Sequence, residues 1–207
     1  MADVNGLLQV SPVIPVVTIE DPQHAVPIAR ALADGGIPII ELTLRTESAL
    51  TSLKLIANEV PDILVGAGTI LTPGQAYAAV SAGAQFLVSP GVTPSLLDYM
   101  LTLNVPVLPG VATVGEVMAV LERGLGDMKF FPAGPAGGPP YLAAIGAPIP
   151  HVRFCPTGGV TLASAPDYLL LPNVSCVGGS WLTPRSAVES NDWSQITALA
   201  REASMLG

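Results

Sequence analysis

With 207 residues, half of them apolar, the chain has the length and apolar content of one folded domain, which excludes a disordered protein. Only 12% of residues are charged and the formal net charge is −8, a poor match for nucleic acid or an anionic membrane surface. The longest apolar runs, such as 13–19, are broken by Pro or polar residues and fall well short of the ~20 residues a membrane-crossing helix needs.

The start, MADVNGLLQVSP, lacks a basic segment followed by a long apolar stretch. The two cysteines, Cys155 and Cys176, each sit in an apolar run. Both features lead us to expect a reduced, cytoplasmic protein.

In chain order, β-type runs are predicted at 13–19, 38–44, 63–70, 86–90, 106–110, 128–132, 152–156 and 174–177. Each is almost continuously apolar, as strands are when both faces of a parallel sheet are covered. Between them lie Ala- and Leu-rich amphipathic segments, such as 24–33, 48–57, 72–82 and 115–123. The Pro- and Gly-rich stretch 133–150 predicts a loop with only a short helix at 141–145. A last amphipathic helix is expected at 193–205. Eight β/α units without a linker predict a compact (β/α)8 TIM barrel, one α/β domain over 1–207, shorter than the roughly 250 residues typical of that fold. An open doubly wound sheet is the competing architecture, and no GxGxxG follows the first strand to favour it.

Chemistry in such a barrel sits where strands end and βα loops begin. Lys129 lies there, in the apolar run MKFFPA, and is one of only two lysines. Desolvation disfavours an ammonium, and a neutral amine attacks a ketone. The plainer alternative is a lysine that snorkels from a strand end to water. Glu41, in PIIELTL, needs either a partner or a job. A structural ion pair with Lys129 and an acid/base role beside a Schiff base are compatible readings. Arg45 and Thr69 can hold the carboxylate of a 2-keto acid, although Arg45 also reads as a solvated residue opening the next helix. Thr157-Gly158-Gly159 and Gly178-Gly179-Ser180 end the seventh and eighth runs, where barrels often bind phosphate through backbone N–H groups. His24, His151 and the cysteines show no metal-ligand spacing, so neither metal nor cofactor is expected.

GGIPIIELTLRT, VGAGTILTP, AGAQFLVSPG, KFFPA, VRFCPTGGV and CVGGSWL, in this order, resemble the 2-dehydro-3-deoxy-phosphogluconate (KDPG) and 4-hydroxy-2-oxoglutarate aldolase family. The resemblance implies a metal-free class I lyase, a homotrimer. It implies cleavage of 2-dehydro-3-deoxy-6-phospho-D-gluconate to pyruvate and D-glyceraldehyde 3-phosphate, the Entner–Doudoroff cleavage step. Lys129 matches the Schiff-base lysine and Glu41 the general acid/base. Arg45 and Thr69 match contacts to the pyruvate carboxylate, Pro90 and Phe131 the pocket walls, and Gly158, Gly159, Gly179 and Ser180 the phosphate positions. The segment 134–140 (GPAGGPP) departs from the family pattern. The implied partners are a small 2-keto acid and a phosphorylated aldehyde. Related substrates are 4-hydroxy-2-oxoglutarate and the galactonate epimer. The low charge and apolar helices also suit an assembly scaffold subunit, and the glycine loops alone suit a phosphate-binding barrel isomerase.

Overall fold

Residues 4–206 are described by the computed structural model. The β-branched and Leu-rich runs form β1 (Val13–Val17), β2 (Ile39–Thr43), β3 (Leu64–Gly68), β4 (Phe86–Val88), β5 (Val107–Leu108), β6 (Gly110–Val111), β7 (Asp127–Phe130), β8 (Arg153–Pro156) and β9 (Val177–Gly179). Every residue of β2 is buried, as the unbroken apolar run required. All strand pairs are parallel: β5-β4-β3-β2-β1-β9 form one sheet and β6-β7-β8 another.

The two sheets are arcs of one ring. β5 and β6 are a single barrel strand interrupted at Pro109, which has no N–H to donate. Its first half accepts from Ser89 N at 3.3 Å, while Pro109 O accepts from Lys129 N at 2.9 Å, so both neighbours stay joined. At the other seam, Phe154 N donates to Asn173 O (2.8 Å) and Ser175 N to Phe154 O (3.1 Å), with a further bridge between Thr157 and Gly178. The expected eight-stranded barrel therefore closes, with its fifth strand split.

The last strand is displaced from the expected 174–177. Pairing with β1 starts at Val177, whose N–H donates to Pro12 O, and runs on into Gly178 and Gly179. An apolar run stops at the glycines, whereas the backbone ladder does not.

The helices are α1 (Ala25–Asp34), α2 (Ala49–Glu59), α3 (Pro73–Ser81), α4 (Pro94–Leu101), α5 (Val114–Leu121), α6 (Gly138–Gly146), α7 (Ala165–Leu169), α8 (Arg185–Glu189) and α9 (Trp193–Ser204). Thr72, Thr93 and Thr113 open α3, α4 and α5 by accepting from the N–H three residues on, each worth about 1 kcal/mol. The short helix expected at 141–145 is longer: α6 starts at Gly138. Gly137 and Gly138 take left-handed φ values of 115° and 60°, and Pro139 and Pro140 occupy the first turn. Prolines there interrupt no helical hydrogen bond, because first-turn N–H groups have no partner in the helix. The departure at 134–140 is thus a turn over 134–137 that leads into the first turn of α6.

Asp127 opens β7 half-buried, and burial pushes its carboxyl pKa up, partly offset by the Arg153 charge. A folded-state pKa above the unfolded value means that the native state holds more protons. The associated stability is present below the ordinary carboxylate range and is lost as pH rises through the raised pKa. Asp127→Asn is expected to raise the neutral-pH melting temperature and to do little at pH 3, as differential scanning calorimetry would record.

Candidate active site

Glu41 and Lys129 lie on β2 and β7, four positions apart around an eight-strand ring, and so face each other across its interior. Lys129 Nζ lies 3.1 Å from both Oε1 and Oε2 of Glu41. The residues are 5% and 3% exposed, which overturns the snorkelling alternative for Lys129. In so dry a place the pair is little screened by salt. Gly68 ends β3 beside it, and a Cβ there would overlap Oε1 of Glu41. The glycine in GAGT therefore leaves the carboxylate its room. Lys129 Nζ also lies 5.7 Å from the centroid of the Phe131 ring.

A cavity of about 180 Å³ opens at this pair. Lys129, Arg45, Phe131, Thr157, Gly158, Gly159, Gly179 and Ser180, all named from the sequence, line it. Glu41 is bonded to Lys129 but is not itself in the lining. Thr69 and Pro90 are half-buried just past β3 and β4 and stand outside the lining. Arg45 is exposed, reaches the cavity and has no ion pair among the described residues.

Gly158 and Gly159 adopt left-handed φ values of 94° and 80°, a geometry that other residues enter at a cost. Among the described residues, no acceptor satisfies the N–H groups of Gly158, Gly159 or Ser180. Several free donors grouped at loop ends form a concavity suited to an anion. Thr157 is buried, with its Oγ1 donating to Cys155 O at 3.3 Å.

Gly178, of the second glycine loop, lines the cavity too, and so do Val16, Thr18 and Val160, which were not singled out from the sequence. They carry neither charge nor motif. Register is the feature that points to one of them: Val16 pairs with Glu41. Thr18 Oγ1 is 2.8 Å from the Oγ1 of buried Thr43, a link between the ends of β1 and β2. Among the described residues, no group of three His, Cys, Asp or Glu side chains is placed to hold a metal ion.

A buried amine in two-point contact with a carboxylate, open to a cavity that ends in free N–H donors, can form an imine with a ketone and pass protons beside it. The family model for KDPG and KHG aldolase matches residues 4–199. The 2-dehydro-3-deoxy-phosphogluconate aldolase of Dickeya dadantii is 51% identical over 95% of this chain and 92% of its own length. The KHG/KDPG aldolase of Escherichia coli is 49% identical over 96% and 93%. The crystal structure of the Legionella pneumophila KDPG aldolase holds pyruvate captured as a covalent carbinolamine. It superposes with a TM-score of 0.96 at 47% identity and covers 98% of both chains. The Zymomonas mobilis enzyme with 3-phosphoglycerate gives a TM-score of 0.95 at 45% identity, over 100% of this chain and 97% of that one.

Proposed function

Because the chain belongs to the KDPG and KHG aldolase family, we propose that it is a class I aldolase. Its reaction is cleavage of 2-dehydro-3-deoxy-6-phospho-D-gluconate to pyruvate and D-glyceraldehyde 3-phosphate. The observation that carries this reading is the Lys129–Glu41 contact at 3.1 Å to both carboxylate oxygens, at the floor of a cavity with free N–H donors.

Each step follows from that contact. Glu41 takes a proton from Lys129 Nζ, whose lone pair attacks the ketone at carbon 2 to give a carbinolamine. Glu41 returns the proton to the departing hydroxyl, and water leaves as the iminium forms. Glu41 then accepts the proton of the carbon 4 hydroxyl. The bond between carbons 3 and 4 breaks, its electron pair moves into the iminium as an enamine, and the aldehyde departs. Protonation of the enamine at carbon 3 and addition of water release pyruvate and restore Lys129. One carboxylate serves every transfer, and proximity of this kind supplies much of the rate.

Arg45 is proposed to hold the pyruvate carboxylate, with Thr69 at the end of β3 as a second donor. Phe131 walls the cavity and Pro90 stands behind it, beside Gly110. Thr157 lines the acceptor side. The N–H groups of Gly158, Gly159 and Ser180 receive the phosphate, with Gly179 lining the same end of the cavity. The KHG/KDPG name of the Escherichia coli relative supports 4-hydroxy-2-oxoglutarate as a second substrate through the same lysine. Purified protein given the phosphorylated substrate, with lactate dehydrogenase and NADH to report pyruvate, is expected to consume NADH. No pyruvate from folded protein would end this reading.

The proposed assembly is a homotrimer. Leu71 and Tyr77, at and in α3, and Val114 and Met118 in α5 are 59%, 62%, 39% and 55% exposed, which gives neighbouring outer helices apolar surface to bury. Light scattering on the eluting peak is expected to give three chain masses; a monomer, or a particle far larger than a trimer, would contradict it. The proposed compartment is the cytoplasm, where free Cys155 and Cys176 stay reduced.

A further inference from the structure

The loops assigned to phosphate provide N–H dipoles and a hydroxyl, but no full positive charge. A phosphate ester brings nearly two negative charges, and the chain as a whole carries −8. Arg45 and Lys129 are committed, on the reading above, to the keto-acid half. A cation for the far end has to come from beyond the small cavity.

That surrounding is a second cavity of about 470 Å³. It shares Val16, Thr18 and Ser180 with the first, so the two meet where the phosphate loop ends. The charged and titratable groups of its walls are Glu20, Asp21, His24, Arg185 and Glu189, of which Arg185 alone carries a permanent positive charge. Arg185 opens α8, five residues after Ser180. Its Nε donates to Glu189 Oε1 at 2.6 Å. Its terminal Nη groups donate to nothing among the described residues. One turn of helix therefore fixes the guanidinium through Nε and leaves its outer edge, four N–H donors in one plane, unengaged. The two side chains are 90% and 60% exposed, so the Nη edge is open to an anion arriving from solvent.

We propose that Arg185 is a specificity-determining residue that binds the phosphate end of the substrate through its Nη edge, while Glu189 holds it by Nε. This rests on the aldolase reading above. It adds to that reading a cation that selects phosphorylated over phosphate-free substrates. Glu189 has two opposed effects. Its oxygen orients the arginine, and its charge, with that of Glu20, weakens the local positive field. Changing the charge while keeping the oxygen separates the two.

The experiment compares kcat/KM for 2-dehydro-3-deoxy-6-phospho-D-gluconate with that for 2-dehydro-3-deoxy-D-gluconate, which lacks the phosphate. Arg185→Ala is expected to lower the ratio of the two about tenfold, chiefly through KM, the size of one charge-assisted hydrogen-bond pair near solvent. Arg185→Lys is expected to recover part of it, since a point charge lacks the planar fork. Glu189→Gln keeps an acceptor for Nε and removes one negative charge, so the ratio is expected to rise. Added salt to 0.5 M is expected to shrink the difference between wild type and Arg185→Ala. A ratio unmoved by Arg185→Ala, or lowered by Glu189→Gln, would overturn the assignment while leaving the aldolase standing. Wild-type protein that cleaves neither substrate would overturn both.

Discussion

Replacing Lys129 with methionine is expected to remove aldol cleavage, by on the order of 10⁴-fold or more, since no other amine among the described residues lines the cavity. In wild-type protein, borohydride with pyruvate is expected to leave a reduced adduct on Lys129 and none on Lys54, which lies exposed on α2. The variant is also expected to lose stability. Glu41 is 3% exposed and among the described residues its carboxylate bonds only to Lys129, so removing the amine strands a carboxylate in the barrel interior. Breaking one side of a buried pair costs about 3–5 kcal/mol. Adding Glu41→Gln to Lys129→Met removes the stranded charge and is expected to restore most of that loss in urea titrations, with cleavage still absent. Stability that fell equally in the single and double variants would mean that packing, not the unpaired charge, sets the cost. An adduct that formed on Lys54 instead would displace Lys129 from the proposed role.

Glu41→Gln alone is expected to fold, because the amide fills the same space next to Gly68 and still offers Lys129 an acceptor oxygen. It can no longer take up and return a proton. Turnover is expected to fall by about 10²–10⁴-fold, the usual worth of a positioned acid/base. The most direct reading is the exchange of pyruvate methyl protons in heavy water, followed by NMR. Wild-type protein makes and unmakes the enamine at that methyl and should exchange it. In Glu41→Gln the exchange should slow along with cleavage. If exchange kept its full rate while cleavage fell, another group would be handling the proton at carbon 3.

The ring and its two charged residues were legible in the sequence because each leaves a mark that survives without coordinates. Continuous apolar runs reveal strands covered on both faces, and a lysine or glutamate inside one is conspicuous. The division of the fifth strand at Pro109 and the extension of the last into Gly178 and Gly179 were not legible. Both depend on which backbone groups find partners across a seam, not on hydropathy. For α6 the structure extends the expected short helix at its start. Pro139 and Pro140 look like helix breakers in a string of letters, yet they occupy the turn where a proline's missing N–H costs nothing. Val16 and Val160 were silent for another reason. As plain aliphatic residues they carry no mark of their own: register with Glu41 brings Val16 to the cavity lining, and the loop after β8 brings Val160. Thr69 and Pro90 show the reverse, conspicuous at strand ends but outside the cavity lining.

The partners in the Glu41–Lys129 contact stand 88 residues apart in the chain and on opposite sides of the ring. Neither arc of strands contains both. A nascent chain that has completed β1 to β5 already carries Glu41 but does not yet contain Lys129. Catalytic competence is therefore a property of the finished circumference. During refolding, helical and sheet signals can recover arc by arc, whereas turnover must wait for the long-range closure that brings β7 across from β2.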